Sequence, residues 1–232
     1  MTCQLDIHDL GRAPYEPTLQ LQRRHQQEVI EGRDQQAPRP FRLLLVEHDP
    51  PVVTISRRPG AREHLVACDA QLQEAGVEVR ETDRGGDITF HGPGQLVGYP
   101  ILDLNELDLK MHGYLRFLEQ VVIEVLRRFG IDAGRDECAT GVWVADAKIC
   151  AMGIRVSRWV SMHGFALNVD PDMACFDLIV PCGLAGRSVT SMRALLGDEC
   201  PSMEAVKAVA AEVFEQELLS RRRPRVQTTP RR

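Results

Sequence analysis

Short apolar runs alternate with polar breaks containing Gly and Pro along much of this 232-residue chain. Runs of this length and flanking composition predict β-strands. Two of the runs are separated by Asp49-Pro50-Pro51, and another is interrupted by three glycines. The predicted strand segments are 41–46, 52–55, 77–79, 88–102, 141–144, 149–156 and 165–169. The last three are joined by short turns, which predicts an antiparallel meander.

A second pattern, apolar residues spaced by three and four positions, predicts helices. It is clearest in Leu115, Leu118, Val122, Val125 and Phe129, and Gly130 is expected to end that helix. Further helices are predicted on the surface at 19–32, at 65–75 with Gly76 as its end, and at 203–213 with Ser202 as its cap. Strands interspersed with separate helices predict an α+β fold, a mainly antiparallel sheet with helices packed against it.

The patterned region runs to residue 219 without a repeat or an internal linker, so 1–219 is expected to form a single domain. Residues 220–232 hold six arginines, two prolines and no acid, which predicts a basic, disordered tail. The whole chain has a net charge of −5, and without this tail it has 22 basic and 33 acidic residues, a body near −11. A body this acidic argues against a nucleic-acid binder, although the tail alone could touch nucleic acid or an acidic protein.

Composition narrows the class of protein further. A hydrophobic fraction of 44% is ordinary for a globular protein with a core. The chain has no run of 18 apolar residues, and its first residues lack the basic start and apolar stretch of a secretory signal. The seven cysteines include no Cys-x-x-Cys pair, which disfavours a disulfide framework and a zinc site. We therefore expect a cytoplasmic protein with no membrane contact and no metal, and a monomer by default.

Cys182 is the first candidate for chemistry. The apolar run 176–180 leads to Pro181, and Gly183 follows the cysteine directly. This order predicts a thiol at the end of a packed strand, in a turn where the backbone can approach a ligand. Such a thiol is a candidate nucleophile for acyl transfer. The alternative is a buried cysteine that acts as a small apolar filler.

A glycine-rich segment from Arg84 to Gln95 is the second candidate. Four glycines within eleven residues are costly for the backbone unless the chain bends tightly or passes close to a bound ligand, and both explanations stay open. The segment lacks the Gly-Lys-Ser/Thr ending of a phosphate loop and is not a dinucleotide fingerprint.

Three further residues could act as acids, bases or charges. His91 and His163, each beside glycine, could serve as general acids or bases or as structural hydrogen-bonding residues. Lys148 precedes the apolar segment 149–154 at a predicted hairpin, where lysines are usually solvated. If Lys148 points inward instead, it is a cation able to favour a nearby thiolate.

Four segments together resemble the lipoyl(octanoyl) transferases. They are the signature loop at 84–100, Lys148-Ile-Cys-Ala-Met-Gly-Ile-Arg155, His163-Gly-Phe-Ala-Leu-Asn168 and Ile179-Val-Pro-Cys182-Gly-Leu, in the family's order. The resemblance covers about residues 40 to 200. It implies a fold similar to the catalytic domain of biotin and lipoate ligases. It also implies transfer of an octanoyl group from acyl carrier protein to a lysine of a lipoyl domain, the first step of protein lipoylation.

The resemblance also implies roles for individual residues. Cys182 would carry the acyl group as a thioester, and Lys148 would tune that thiol. The acyl site would be lined by Arg84, Gly85, Gly86, Asp87, Ile88, Thr89, Phe90, His91, Ala151, Met152, Gly153, Gly164, Phe165 and Ala166. Cys150 and Cys175 are additional thiols that the family pattern does not require, and they are interpreted as packing residues.

The implied partners are octanoyl-acyl carrier protein as donor and, as acceptors, the lipoyl domains of 2-oxoacid dehydrogenases and the glycine cleavage H protein. No cofactor is expected, because the acyl group arrives already activated as a thioester. Acyl carrier protein is typically acidic, so a local basic patch at Arg57, Arg58 and Arg62 is expected beside the site.

Three other functions remain open at this stage. An ATP-dependent lipoate or biotin-type ligase would share the fold but need a nucleotide and no cysteine nucleophile. A thiol hydrolase using Cys182 with His91 or His163 would release free fatty acid. A non-enzymatic module would bind an acyl-lysine or nucleic acid without turnover.

Overall fold

The computed structural model describes residues 4–37, 39–180 and 187–221. Nine strands form two sheets. The strands are β1 (Leu5–Ala13), β2 (Phe41–His48), β3 (Val52–Ile55), β4 (Glu78–Glu81), β5 (Ile88–His91), β6 (Gln95–Ile101), β7 (Val142–Val144), β8 (Ala147–Ser157) and β9 (Val160–Asn168). The α-helices are α1 (Tyr15–Asp34), α2 (Asp69–Glu74), α3 (Met111–Arg128), α4 (Met192–Leu196) and α5 (Met203–Arg221). Short 3₁₀ helices occupy Ala61–His64, Met173–Leu178 and Gly197–Glu199.

The large sheet has the order β1-β2-β6-β9-β8-β7, and the small sheet has the order β4-β3-β5. Only β1 with β2 and β3 with β4 pair in parallel, and every other named strand pair is antiparallel. The hairpin of β8 and β9 is the longest regular ladder and supplies one wall of the site described below. The α+β class and the mainly antiparallel sheet are therefore confirmed.

Helices cover the large sheet on both faces. On one face α3 and α5 pack over side chains such as Leu43, Leu45 and Phe165, in the largest apolar cluster. On the other face, Val29 and Ile30 of α1 pack against β2 and β6. The polar surface helix expected at 19–32 begins earlier, at Tyr15, and buries several polar side chains as it crosses β9. This second face is where a pocket remains open.

The expected strand leading into the candidate thiol is wrong. Residues Met173–Leu178 form a 3₁₀ helix, and the Asp172 carboxylate caps it by accepting from the Ala174 N–H at 3.0 Å. Phe176 and Ile179 bury against the small sheet instead of extending a ladder, and Ile179 forms only an isolated bridge with Leu65. An apolar run does not distinguish a buried 3₁₀ turn from a strand.

The first strand was also missed. Strand β1 has polar residues at successive positions, as at His8 and Asp9, so the alternation of apolar and polar residues typical of a strand is weak. It forms because it adds in parallel to the exposed edge of β2, from Leu5 opposite Phe41 to Ala13 opposite His48. Within the described ranges, no helix is long and apolar enough to cross a bilayer.

Candidate active site

A pocket that opens to solvent lies on the α1 face of the large sheet. Its floor consists of small residues from β8 and β9, with Ala151 opposite Ala166 and Gly153 opposite Gly164. The strands here touch neighbouring backbone closely: a Cβ on Gly164 would lie 2.2 Å from the Gly98 carbonyl oxygen. The pocket therefore exists because this part of the sheet carries no bulky side chains. Met152 and Phe165, their neighbours in the strands, also line it.

The glycine-rich segment crosses over this floor. The Gly85 N–H donates to the Ile154 carbonyl at 2.8 Å, and the Arg84 guanidinium donates to the Thr54 carbonyl at 2.9 Å. A Cβ on Gly153 would lie 2.7 Å from the Gly85 oxygen, so glycine at 153 permits this contact. Gly86 has φ +95°, a conformation that favours glycine. A tight bend, one of the two causes proposed for the glycines, is present here, and the close approach to a bound ligand stays a prediction.

Residues of β5 divide between two faces, as strand geometry requires. Thr89 and His91 line the pocket, whereas Ile88 and Phe90 bury in the core of the small sheet. Asp87 is buried away from the pocket, 2.9 Å from His64 Nδ1 and 3.8 Å from the Arg58 guanidinium.

Of the fourteen residues expected to line an acyl site, nine line this pocket. They are Arg84, Thr89, His91, Ala151, Met152, Gly153, Gly164, Phe165 and Ala166. Gly85, Gly86, Asp87, Ile88 and Phe90 are not in its lining, although Gly85 shapes the wall from behind. Four lining residues were not predicted for the site: Tyr15, Val97, Tyr99 and His163. Tyr15 and Tyr99 come from α1 and β6, where only the folded sheet brings them near the glycine-rich segment.

The polar side chains of the pocket are held by outward partners. The Tyr15 hydroxyl donates to Thr82 Oγ1 at 2.9 Å. His163 has φ +58°; its N–H donates to Gln22 Oε1, and its Nε2 lies 2.9 Å from Asp83 Oδ1. The interaction with His163 lowers the pKa of Asp83 to about 2, with smaller contributions from Arg155 and Arg23. Asp83 is thus an anion that fixes the start of the glycine-rich segment against β8 and β9.

Lys148 is buried, with 6% of its surface exposed, so the expectation of a solvated lysine is wrong. Its Nζ lies 4.8 Å from the centroid of the Trp143 ring, which packs beneath it. Across the ranges that the structure describes, no carboxylate forms a salt bridge with Lys148. The residue belongs to β8 and pairs with Trp143 of β7, in a short hairpin with an irregular register.

The candidate nucleophile Cys182 lies outside the described residues. On its N-terminal side, the Val180 N–H donates to the His64 carbonyl at 2.8 Å, and the His64 ring contacts Asp87 of the glycine-rich segment. On its C-terminal side, the Lys148 N–H donates to the Ser188 carbonyl at 2.9 Å, and the Thr190 N–H donates to the Lys148 carbonyl at 2.9 Å. The residues before the candidate nucleophile therefore lie beside a contact of the glycine-rich segment, and the residues after it pair with the backbone of Lys148.

Two other thiols have different surroundings. Cys150 is buried in the main core, and burial raises the pKa of its thiol well above the usual range. Cys175 is partly exposed in a second groove near Gly94, and burial raises its pKa too. Neither thiol is suited to form a thiolate at neutral pH.

Comparison with known proteins places this geometry in a family. Residues 14–215 match the model of the lipoyl protein ligase A/B catalytic domain. An octanoyltransferase of Flavobacterium johnsoniae is 41% identical over 94% of this chain and 100% of its own length. One from Gloeobacter violaceus is 49% identical over 88% of this chain and 86% of its own.

Solved structures extend the likeness to the fold. A lipoate-protein ligase A bound with ATP superposes with a TM-score of 0.69 and 17% identity, over 94% of this chain and 86% of that one. Biotin protein ligase from Aquifex aeolicus has the related fold at a TM-score of 0.50 and 13% identity, over 95% of this chain and 71% of that one. At these sequence identities, the two solved structures support only a shared fold. On the sequence matches, the chain belongs to the lipoyl protein ligase A/B catalytic-domain family and, within it, to the octanoyltransferases, acyltransferases that act in lipoylation.

Proposed function

We propose that this enzyme takes an octanoyl group from octanoyl-acyl carrier protein, holds it as a thioester on Cys182, and passes it to a lysine amine of a lipoyl domain. The observation that carries the proposal is Lys148. It is a buried cation without a carboxylate partner among the described residues, and its backbone pairs with the chain that follows Cys182.

A buried, unpaired cation favours a nearby anion. A thiol with an ordinary pKa near 8.5 is only about 3% ionised at pH 7. A lysine about 4 Å away contributes up to roughly 4 kcal/mol at an effective dielectric near 20. A lowering of the thiol pKa by about 2 units already makes most of it thiolate. We therefore assign to Lys148 the role of stabilising the Cys182 thiolate.

The two steps balance without a cofactor. The Cys182 thiolate attacks the thioester carbon of the donor, a new C–S bond forms, and the carrier thiolate leaves. The acceptor amine then attacks the acyl-cysteine, the C–N bond forms, and the electron pair of the broken C–S bond returns to sulfur. Lys148 gives a proton to the departing carrier thiolate in the first step and is then neutral. It is our candidate to receive the proton that the amine loses in the second step.

We assign this pocket to the apolar part of the substrate. Its floor of alanine and glycine carries no bulky side chains, and Val97, Met152 and Phe165 also line it. Each methylene buried there contributes about 0.8 kcal/mol to binding. An eight-carbon chain therefore gains more from burial than a short acyl group does.

Intact-mass measurement tests the thioester. After brief incubation with octanoyl-acyl carrier protein, the enzyme should gain one octanoyl group, which hydroxylamine or a lipoyl domain removes. Cys182→Ser should gain no hydroxylamine-labile group, whereas Cys68→Ser and Cys138→Ser, which change exposed thiols, should behave like the parent enzyme. If Cys182→Ser still transfers octanoate to the lipoyl domain at the parent rate, the covalent route is wrong.

The role of Lys148 has its own variants. Lys148→Met keeps the length and apolar stem of the side chain but removes the charge. The thiolate fraction at pH 7 then falls from most of the thiol to about 3%, so the acylation rate should fall about 20-fold. Raising the pH should recover part of the loss, because it ionises the thiol directly. A Lys148→Met enzyme with an unchanged rate of acylation at pH 7 would contradict the assignment.

A ligase reaction is the second candidate, because the fold is shared with a lipoate-protein ligase A bound with ATP. Such an enzyme would join free octanoate to the lipoyl domain in the presence of ATP and magnesium, and Cys182→Ala would remain active. Incubation with free octanoate, with and without ATP, separates the two functions. Product formed only with ATP would favour the ligase.

A further inference from the structure

Besides Arg84 and Thr89, four polar side chains line the pocket, and each of these four has its donor hydrogen committed to an outward partner. They are Tyr15, Tyr99, His91 and His163. Tyr15 donates to Thr82 Oγ1, and His163 donates from Nε2 to the anionic Asp83. Tyr99 lies 2.7 Å from His48 Nε2, and His48 Nδ1 lies 3.1 Å from the Ala13 carbonyl. A carbonyl only accepts, so His48 carries its hydrogen on Nδ1 and its Nε2 accepts from the Tyr99 hydroxyl.

The orientation of His91 follows from a chain of amides. His91 Nδ1 lies 2.8 Å from Gln95 Oε1, and Gln95 Nε2 donates to Asn168 Oδ1 at 2.9 Å. Asn168 Nδ2 in turn donates to the Thr190 carbonyl at 2.9 Å. Since each amide oxygen in this chain accepts, His91 must carry its hydrogen on Nδ1. Its other nitrogen, Nε2, is then a hydrogen-bond acceptor.

The hydrogen-bonded chain that orients His91 continues to the backbone of Lys148. The Thr190 residue that ends the amide chain also donates its N–H to the Lys148 carbonyl at 2.9 Å. Gln95 is paired with Asn168 across β6 and β9, one row beyond Leu96 and Leu167. The polar end of the pocket and the proposed reaction centre are therefore held by one continuous set of hydrogen bonds.

His91 is also uncharged. Burial, and secondarily the neighbouring His48, holds its pKa well below the usual range. A neutral acceptor can orient an amine without stabilising its ammonium form, whereas a carboxylate would hold the amine protonated and unreactive. Asp83, the carboxylate that contacts the lining residue His163, is also engaged by Arg155.

We propose that His91 Nε2, with the Tyr99 hydroxyl oxygen in the lining of the same pocket, is a binding site for the primary amine of the acceptor lysine. The inference rests on the proposed function, since it concerns the second half of that reaction. In the site, an amine N–H donates to His91 Nε2, which leaves the nitrogen lone pair free to attack the acyl group. Lys148 still receives the proton that is lost, and His91 orients the nucleophile.

The test separates the two half-reactions. Acylation is followed by intact mass with octanoyl-acyl carrier protein, and deacylation of the isolated acyl-enzyme is followed with Nα-acetyl-lysine amide and with a lipoyl domain. For His91→Leu, the amine-dependent rate should fall at least 10-fold more than the acylation rate, and spontaneous hydrolysis of the acyl-enzyme should fall less than aminolysis. His91→Gln places an acceptor oxygen near the position of Nε2 and should restore part of the aminolysis.

Two controls keep the outcomes distinct. His112→Leu changes an exposed histidine on α3, and both half-reactions should match the parent enzyme. Tyr99→Phe removes the second acceptor and should weaken aminolysis several-fold while the melting temperature shows that the fold persists. Equal losses in both half-reactions of His91→Leu and His91→Gln would overturn the proposal and leave His91 a structural residue. Failure of the parent enzyme to form an acyl-enzyme would instead overturn the proposed function.

Discussion

His48 is fully buried, and both of its ring nitrogens are hydrogen-bonded, to the Ala13 carbonyl and to the Tyr99 hydroxyl. Burial lowers its pKa to about 4, so the ring is neutral in the folded enzyme at physiological pH. In the unfolded chain an ordinary histidine has a pKa near 6.5. Between these two values the unfolded chain binds more protons than the folded one, so acid favours unfolding.

The sign and size of this effect can be measured. His48 contributes stability that is complete above about pH 6.5 and is lost as the pH falls, by about 3 kcal/mol at pH 4. Urea unfolding at pH 7, 6, 5 and 4 should therefore show a falling free energy of unfolding. His48→Gln cannot take up a proton and should reduce the pH slope by about one proton, whereas the exposed His112→Gln should not. An equal slope in parent and His48→Gln would mean that His48 is charged in the fold.

At the scale of elements, the pocket exists because the hairpin of β8 and β9 lacks bulky side chains on one face. Ala151, Gly153, Gly164 and Ala166 meet in two opposed pairs, so one face of the hairpin has almost no side-chain volume. The same two strands are fully apolar on their other face, where Leu167 and Cys150 pack beneath α3 and α5. In the proposed function the octanoyl chain lies on this floor, so a larger side chain there would take up space that the acyl chain occupies.

Larger side chains on this floor should shorten the acyl chain that the enzyme accepts. Ala151→Leu and Ala166→Leu, made separately, each place three additional carbon atoms in the pocket. The ratio of kcat/KM for octanoyl over butanoyl donors should therefore fall at least 10-fold in each. The reason is that long chains lose buried methylenes while short ones do not. Val156→Leu, on the same strand but outside the pocket lining, is the matched control and should keep the parent ratio. A uniform loss with every donor would show that the floor does not measure length.

At the scale of the whole molecule, the sequence predicts those elements that depend on residues close together in the chain. The main helix from Leu115 to Phe129, the β8 and β9 ladder and the glycine-rich segment all follow from spacing and composition, and the structure contains each of them. The residues Tyr15, Tyr99 and His48 could not be placed from sequence, because their meeting depends on how β1, β2 and β6 pair far along the chain. Burial of Lys148 likewise depends on the irregular β7–β8 hairpin and not on its own neighbours.

Some expectations at this scale stay predictions. The division into a single catalytic domain over 1–219 and a tail over 220–232 is one of them, although α5 continues to Arg221, whose guanidinium lies 5.3 Å from the Phe117 ring centroid. The roles of Cys182 and of the donor and acceptor proteins are others. In the basic patch expected beside the site, the charge of Arg58 is partly balanced, because its guanidinium lies 3.8 Å from the carboxylate of buried Asp87.

Arg57 and Arg62 are exposed and are therefore the better test of docking by an acidic carrier. The enzyme as a whole is acidic, so a local positive patch is needed to orient a negatively charged donor. Arg57→Glu with Arg62→Glu should lower kcat/KM for octanoyl-acyl carrier protein about 10-fold at low salt. The difference should shrink at about 1 M salt, where screening acts within about 3 Å.

A small octanoyl thioester without the carrier protein should react with this double variant at the parent rate, because it makes no contact with the patch. Lys110→Glu reverses an exposed charge at the start of α3, on the opposite face of the large sheet, and should change neither reaction. If the double variant uses the carrier-bound donor as well as the parent does at low salt, the carrier docks elsewhere. A loss with both donors would instead indicate damage to the small sheet, since Ala61 beside Arg62 packs in its core.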